Sequence, residues 1–227
     1  MNLWFQGRGL NTAQVVNISI FLMILAHTYM TDKNLQKTQV HTKQFVRKQI
    51  SSLRNDLTPD EVRLNSKIIC QRIADLYPSI MCKATALYLP FGNEVDLTSL
   101  LLAGDNSFHI PSVQNKNMQF QKWSTELRIN RHTLGMQQPQ FQPDLPPTQL
   151  SICLMPLLGF DDQGHRLGMG GGFYDRYFEN NKDTLLIGVA HDCQQWPQLP
   201  HDGWDVKLHA IITESQHISF NSDINQT

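Results

Sequence analysis

The 227-residue chain predicts an α/β fold in three layers, with a mostly parallel sheet flanked by helices. Three short runs, ATALYLP (84–90), LSICLMP (150–156) and LLIGVA (185–190), are almost continuously apolar. Such runs are typical of strands that are covered on both faces. The run HAIITE (209–214) predicts a last strand of the same sheet.

Helical patterns precede these strands. The sequence TPDE predicts a helix start, with Thr58 as the cap, Pro59 at the first helical position and Glu61 completing a capping box. An earlier helix is expected from Lys43 onward, because apolar residues recur there close to helical spacing, at Phe45, Val46, Ile50 and Leu53.

Composition narrows the class of protein. With 41% apolar and 17% charged residues, the chain is too apolar for disorder. A net charge of −1 gives no general reason to expect nucleic acid or an anionic membrane as a partner. The cysteines do not form any C-x-x-C pair, and we expect reduced, structural thiols at Cys70, Cys82, Cys153 and Cys193.

The N-terminal segment does not follow a domain pattern. The apolar run at 15–26 is shorter than the about 20 residues that span a membrane. It has the length of a secretory signal core, and synthesis starting at Met30 is a further alternative. We favour an extension outside the domain over residues 1–42, and a cytoplasmic protein that does not bind membranes.

Two other segments differ from the helix and parallel-strand pattern of the rest of the domain. Residues 106–147 alternate polar and apolar residues and then become rich in Gln and Pro, which indicates an antiparallel excursion and a long loop. The tail 215–227 is polar and is expected to be frayed.

The segment GFDDQGHRLGMGGGFYDRYF (159–178) contains six glycines between a predicted strand and a predicted helix. Strand, glycine loop and helix in this order can bind phosphate through backbone N–H groups. A Walker A motif is absent, and Phe173 stands where G-x-G-x-x-G needs its last glycine. A phosphate site and a tight turn both remain open on spacing alone, and Asp175 is either a Mg²⁺ ligand or a residue that stabilises the helix dipole.

The longer string MPLLGFDDQGHRLGMGGGFYDRYF resembles the signature of the 5-formyltetrahydrofolate cyclo-ligases, P-x-x-x-F-D followed by G-x-R-L-G-x-G-x-G-[FY]-Y-D. KQFVR, YLPFGNEVDLTSLL, MQFQKW, GMQQP and PHDGWDVKLHAIIT resemble other family segments in the same order. The resemblance covers about residues 43–213, and it departs from the family where His209 and Ser112 stand. It implies a cyclo-ligase domain over 43–214 with a Rossmann-like fold of the NagB/RpiA/CoA-transferase-like type.

The resemblance also implies an activity. Family members use ATP and Mg²⁺ to convert 5-formyltetrahydrofolate into 5,10-methenyltetrahydrofolate, ADP and phosphate. Phosphorylation activates the formyl oxygen as a leaving group, N10 attacks the formyl carbon, and phosphate departs. Catalysis would then consist mainly of positioning and charge stabilisation.

The resemblance assigns residues by position. Arg166, Tyr174 and Asp175 would act in catalysis, and Asp175 and Asp205 would hold Mg²⁺. The substrate would contact Leu89, Glu94, Met169, Gly170, Gly171, Gly172 and Phe173. ATP would contact Lys43, Gln44, Phe45, Val46, Arg47, Arg166, Leu167, Gly168, Met169, Gly170, Gly171, Gly172, Phe173 and Tyr174.

Each residue also has an ordinary alternative role. Lys43 and Arg47 could form a solvated helix face, and Glu94 could be a loop carboxylate. The histidines near Asp192 and Asp202 suggest zinc, but Mg²⁺ prefers oxygen ligands, so they are left out of the site. At the level of the protein, a non-catalytic folate- or nucleotide-binding relative and a structural α/β partner protein are the alternatives. We expect 5-formyltetrahydrofolate and ATP as the only partners, and a monomer rather than an oligomer.

Overall fold

The computed structural model describes residues 42–103, 107–133 and 135–220. The expectations for the apolar run at 15–26 and for a start at Met30 lie outside these residues. No helix in the described ranges is both long enough and apolar enough to cross a membrane.

In chain order the strands of the described residues are β1 (Thr85–Ala86), β2 (Phe108–Gln114), β3 (Asn117–Lys122), β4 (Ile129–Arg131), β5 (Gln137–Pro139), β6 (Ile152–Pro156), β7 (Gly159–Phe160), β8 (Arg166–Leu167), β9 (Leu185–Val189), β10 (Ala210–Ile212) and β11 (His217–Ser219). Seven of them form one sheet in the order β11-β10-β9-β6-β1-β2-β3, and the pairs β4-β5 and β7-β8 form small hairpins. The five central strands of the sheet are parallel, and the two edge strands are antiparallel to their neighbours.

The helices of the described chain are α1 (Lys43–Asn55), α2 (Pro59–Leu76), α3 (Thr98–Ala103) and α4 (Phe173–Phe178), with 3-10 turns at Pro78–Met81 and Asp192–Gln194. The Thr58 hydroxyl accepts from the Glu61 N–H, and the Glu61 side chain accepts from the Thr58 N–H, which confirms the predicted capping box. Thr42 caps α1 by accepting from the Phe45 N–H. Thr42, which the sequence analysis assigned to the extension, is therefore the N-cap of α1.

Successive side chains of the central strands point to opposite faces of the sheet, and each face carries its own apolar core. Leu154 of β6 packs on one face with Ile69 and Ile73 of α2. Its neighbours Cys153 and Met155 pack on the other face, with Phe178 of α4 in the same cluster. A third cluster lies under α1 and contains Val46 and Ile50. The three-layer α/β prediction is therefore confirmed, as is the expectation that the four cysteines are free thiols.

Three expectations differ from the structure. The run 84–90 forms a strand only at Thr85–Ala86, although Leu87 and Tyr88 are buried. The excursion 106–147 is antiparallel in the pairs β2–β3 and β4–β5, as expected, but β2 also pairs in parallel with β1 and so joins the central sheet. That pairing involves only the first two residues of β2, so Pro111 does not disrupt it. The tail is not frayed throughout, because His217–Ser219 pairs with β10 as an edge strand.

The fold makes a prediction at Gly188, in the centre of β9. A β-carbon there would lie 2.6 Å from Ile211, 2.7 Å from Leu208 and 2.8 Å from Leu157, all of them buried. We expect Gly188→Ala to lower the free energy of unfolding by about 1–2 kcal/mol, because these side chains cannot all move aside. Urea denaturation measures the effect. Gly203→Ala is the control, since a β-carbon at Gly203 meets no atom within 4 Å, and equal stability of the two variants would contradict the packing argument.

Candidate active site

A cavity of about 730 Å³ opens beside the glycine loop, where strands β1 and β6 end. Leu89 follows β1, Pro156 ends β6, and both line the cavity. Ligands of α/β proteins commonly bind at this edge of the sheet. The fold therefore places the glycine segment at a suitable position for a ligand.

The glycine loop connects β8 to α4 through backbone conformations that favour glycine. Gly170 has φ +103° and Gly172, the residue that caps α4, has φ +62°. Two arginines bind loop carbonyls: Arg47 Nε donates to Gly168 O at 2.9 Å, and Arg176 Nη2 donates to Gly171 O at 2.8 Å. These contacts hold the loop in place and bring two guanidinium groups to its edge.

Arg166 and Asp175 join the two ends of the loop. Arg166 Nη2 donates to Asp175 Oδ1 at 2.6 Å, and the Val206 N–H donates to the same oxygen at 3.2 Å. Arg166 is only 6% exposed, and its buried Nε has no hydrogen-bond partner in the described chain. The Tyr174 ring lies 5.8 Å from the guanidinium carbon. Arg166 therefore retains donor capacity beside the cavity after pairing with Asp175.

A second ion-pair group also lines the cavity. Lys43 Nζ donates to Asp202 Oδ2 at 2.7 Å and also to Asp205 Oδ2. Burial lowers the pKa of Lys43, but the hydrogen bonds to the two carboxylates outweigh burial and raise it. For Asp205, burial raises the pKa and the bond from Lys43 lowers it, with a net lowering. The site thus holds Asp205 ionised well into the acid range.

Glu94 also lines this cavity. Its Oε2 accepts from the Phe91 N–H at 3.0 Å, and its Oε1 lies 3.6 Å from Arg54 Nη1. Burial raises the pKa of Glu94, while Arg54 acts in the opposite direction. Leu89 and Phe173 contribute apolar surface nearby, and the Tyr174 phenol is kept neutral because burial raises its pKa well above the usual value.

Most of the predicted site residues meet in this cavity: Lys43, Arg47, Leu89, Glu94, Arg166, Leu167, Gly168, Met169, Gly170, Gly171, Gly172, Phe173, Tyr174, Asp175 and Asp205. Three predicted ATP contacts do not line it. Gln44 and Phe45 are exposed elsewhere on α1, and Val46 has no exposed surface and packs in the core under α1. The reason is helix geometry, because Lys43 and Arg47 are four residues apart on one face and the intervening residues face other directions.

Sequence reasoning missed part of the cavity wall. Met136, Gln137 and Gln138 come from the hairpin at β5, in the GMQQP segment, which resembles the family but received no site residue. The other missed residues are Tyr88, Phe91, Pro111, Val113, Met118, Pro156, Leu157, Arg176, Asp202 and Trp204. Arg176, Asp202 and Trp204 lie within segments that resemble the family. Site residues were assigned next to them, and that closeness could have identified them.

The two departures from the family pattern lie in the sheet and outside the cavity lining. The Ser112 hydroxyl accepts from Gln121 Nε2, and His209 Nδ1 accepts from the Leu186 N–H. The histidines considered for zinc also have structural contacts, since His201 stacks on His165 at 3.9 Å between ring centroids. Within the described ranges, no group of three or more His, Cys, Asp or Glu side chains could hold a metal ion.

Comparisons with known proteins agree with this geometry. The model of the 5-formyltetrahydrofolate cyclo-ligase family matches residues 39–214. The chain belongs to the 5-formyltetrahydrofolate cyclo-ligase family. It is 31% identical over 177 residues to the 5-formyltetrahydrofolate cyclo-ligase of Escherichia coli K12, which covers 74% of this chain and 97% of the relative. It is likewise 31% identical over 180 residues to the cyclo-ligase of Haemophilus influenzae, covering 75% of this chain and 96% of the relative.

Solved cyclo-ligase relatives have the same fold. The 5,10-methenyltetrahydrofolate synthetase of Aquifex aeolicus superimposes with a TM-score of 0.68 at 28% identity, covering 79% of this chain and 93% of that one. The Mycoplasma pneumoniae synthetase gives a TM-score of 0.58 at 28% identity, covering 77% and 99%. The cyclo-ligase resemblance read from the glycine segment is confirmed.

The ion pairs of Lys43 predict an acid-dependent stability. Because the folded-state pKa of Asp205 is depressed, its contribution is complete above the unfolded value of about 3.9 and is lost as pH falls. We expect Lys43→Met to lower the free energy of unfolding by at most about 1 kcal/mol at pH 6. The difference from the unsubstituted chain should shrink below about pH 4.

Urea denaturation between pH 3 and 7 measures this effect. Lys48→Met is the matched control, because Lys48 is an exposed lysine on the same helix that does not line the cavity. A stability difference for Lys43→Met that stays constant over this pH range would contradict the assignment of the ion pairs.

Proposed function

We propose that this cyclo-ligase family member converts 5-formyltetrahydrofolate and ATP into 5,10-methenyltetrahydrofolate, ADP and phosphate. The observation that carries the proposal is the composition of one cavity. Four cations (Lys43, Arg47, Arg166 and Arg176) and the backbone of the glycine loop line it together with the Glu94 carboxylate and apolar side chains. A triphosphate and a folate ring would thus find complementary chemistry side by side.

The cationic part fits the triphosphate of ATP. Lys43, Arg47 and Arg166 carry three positive charges, and arginine can bind phosphate oxygens through two parallel hydrogen bonds. The glycine loop lets a ligand approach the backbone closely, because positions 168 and 170–172 lack side chains. Arg166 keeps a buried Nε without a hydrogen-bond partner in the described chain, so its charge is not fully satisfied by Asp175.

The carboxylates of this part fit Mg²⁺. Asp175 and Asp205 both line the cavity, and their oxygens are the hard ligands that Mg²⁺ prefers. Mg²⁺ usually takes only one or two protein carboxylates and completes its shell with phosphate oxygens and water. When bound, the ion would offset the negative charge of the phosphates. The Val206 N–H and Arg166 orient the Asp175 carboxylate before any ligand enters.

The apolar part fits the folate. Glu94 provides a carboxylate that can accept from the N–H groups of a pterin ring, and Leu89 and Phe173 provide surfaces for the ring. Met169 is 59% exposed and Trp204 is 69% exposed, so both are available to a ligand at the mouth of the cavity. These two residues would help to exclude water when the cavity is filled.

The reaction then needs positioning more than a protein nucleophile. The formyl oxygen attacks the γ-phosphorus and ADP leaves; N10 then attacks the formyl carbon. Loss of the N10 proton and departure of phosphate complete the ring. Arg166, buried and fixed by Asp175, stabilises the charge that develops on the transferring phosphoryl group. Tyr174 would orient this guanidinium through its neutral ring.

The direct test is the absorbance of methenyltetrahydrofolate formed by the purified chain, with and without ATP. The proposal expects product only when ATP and Mg²⁺ are both present. Tight folate binding without ATP-dependent product would indicate a non-catalytic binding relative. Absence of any ligand binding would indicate a structural protein.

The metal assignment predicts the effect of Asp175→Asn. Losing this carboxylate should lower kcat at least about tenfold, because Mg²⁺ then binds less tightly and offsets less of the charge of the triphosphate. Steady-state kinetics at increasing Mg²⁺ concentrations measure the loss. Asp162→Asn is the control, since Asp162 is exposed in the same segment and does not line the cavity. Normal turnover of Asp175→Asn with an unchanged Mg²⁺ requirement would show that the metal lies elsewhere.

The glycine loop predicts the effect of Gly170→Ala. An alanine at this position must either keep the unfavourable φ near +103° or change the conformation of the loop. Either outcome disturbs the phosphate contacts. ATP affinity should fall at least about tenfold, or about 1.4 kcal/mol, and folate affinity should fall less. Titration calorimetry with an ATP analogue and, separately, with 5-formyltetrahydrofolate measures the two affinities. A thermal melt of the same variant measures its stability.

Gly92→Ala is the matched control for backbone strain, because Gly92 has φ +60° and open space around its β-position. It should lower the melting temperature without changing ATP affinity. If Gly170→Ala behaves in the same way, the glycine loop is a turn and does not bind phosphate.

A further inference from the structure

Arg54 is a buried arginine behind the folate end of the cavity, outside the cavity lining itself. It lies in the last turn of α1 and is only 3% exposed. Its Nη1 atom is 3.6 Å from Glu94 Oε1, and its Nε and Nη1 atoms have no hydrogen-bond partner in the described chain. A buried guanidinium with unpaired donors is expensive unless its charge is used.

We propose that Arg54 is a positioning residue that keeps Glu94 ionised and directed into the cavity, so that the carboxylate can accept hydrogen bonds from the folate ring. The inference rests on the proposed function, because it gives Arg54 a role only if Glu94 binds the substrate. Arg54 acts through Glu94, since it does not itself line the cavity.

The loop that carries Glu94 is attached to the end of α1. Asn93 Nδ2 donates to the Arg54 carbonyl at 3.1 Å and to the Leu57 carbonyl at 2.9 Å. One carboxylate oxygen of Glu94 accepts from the Phe91 N–H, and the other faces the Arg54 guanidinium. Backbone and cation together therefore fix the orientation of the carboxylate.

The charge of Glu94 depends on Arg54. Burial raises the pKa of this carboxyl above its usual value on balance, and the Arg54 guanidinium is the cation that opposes this rise. The other titratable groups facing Glu94 are Tyr88 and Tyr174, whose phenols stay neutral because burial raises their pKa values well above the usual range. His191, which interacts with Arg54, is also neutral near pH 7 because burial lowers its pKa.

The protonation state decides what Glu94 offers a ligand. An ionised carboxylate presents acceptors only, whereas the protonated acid presents an O–H donor. The N–H and amino groups on the edge of a pterin ring are donors. A protonated Glu94 would place a donor opposite a donor, and folate affinity would fall.

The test compares Arg54→Met and Arg54→Lys in the full chain, with folate affinity measured from pH 6 to 9. Arg54→Met should weaken 5-formyltetrahydrofolate binding at pH 7 at least about tenfold, because Glu94 becomes protonated. The pKa of Glu94 should be raised in this variant, so folate affinity should recover as pH rises. Arg54→Lys should keep a pH profile close to that of the unsubstituted chain. ATP affinity should change less than about twofold in both variants.

Two control variants separate charge from structure. Asn93→Ala should weaken folate binding to the same extent at every pH, because it loosens the loop and leaves the charges in place. Glu94→Gln removes the carboxyl that titrates. Adding Arg54→Met to Glu94→Gln should therefore produce no pH dependence of folate binding between pH 6 and 9.

An Arg54→Met variant that folds and keeps the unsubstituted pH profile would overturn the inference. Failure of both Arg54→Met and Arg54→Gln to fold would assign Arg54 a structural role and overturn it as well. Failure of the proposed function is distinguishable, because the unsubstituted chain would then form no methenyltetrahydrofolate. An active chain with an unshifted Arg54→Met profile sinks only the role of Arg54.

Discussion

The ion pair between Arg166 and Asp175 is the interaction on which the candidate site depends. It spans the glycine loop from the last short strand before it to the first turn of the helix after it. A run of glycines needs such contacts to hold one conformation, because glycine restricts the backbone least. The ion pair joins the two ends of the loop, and the bonds from Arg47 and Arg176 to loop carbonyls fix the part between them. The same ion pair places a buried cation at the base of the loop and orients the Asp175 carboxylate.

Helix α1 extends this arrangement across the whole cavity. Lys43, Arg47 and Arg54 are separated by four and seven residues, so they share one face of the helix. The first two line the cavity, where Arg47 binds a carbonyl of the glycine loop, and the third lies beside Glu94. One rigid element therefore places cations beside the glycine loop and beside Glu94. We infer that the relative position of nucleotide and folate depends on the packing of α1, which Val46 and Ile50 hold against the core.

The sequence predicted the parts of the fold that have strong local signals. The capping box at Thr58 and the apolar runs of β6 and β9 are local patterns, and the structure has them close to where they were expected. β2 was assigned only to an antiparallel excursion, because its parallel pairing with β1 involves two residues far apart in the chain from their partners and has no local signal. Strand β11 was missed because its residues are polar, and an edge strand needs little apolar character.

For the site, the contiguous motif predicted the loop and its charges, and the family resemblance added Glu94 and Asp205. Contacts between distant segments could not be read from spacing. Lys43 and Asp205 lie 162 residues apart, and nothing in either segment indicates that they pair. Arg54 was missed for the same reason, since an arginine in an amphipathic helix resembles a solvated residue until its partner is known.

The central claim is that the cavity brings the formyl oxygen of the folate to the γ-phosphate of ATP. The most direct measurement follows that oxygen. The substrate is prepared with ¹⁸O in the formyl group, and the phosphate released during turnover is analysed by mass spectrometry. The account predicts one ¹⁸O atom in each phosphate for each methenyltetrahydrofolate formed. Unlabelled phosphate formed together with the product would contradict it, because the formyl oxygen would then leave without being phosphorylated.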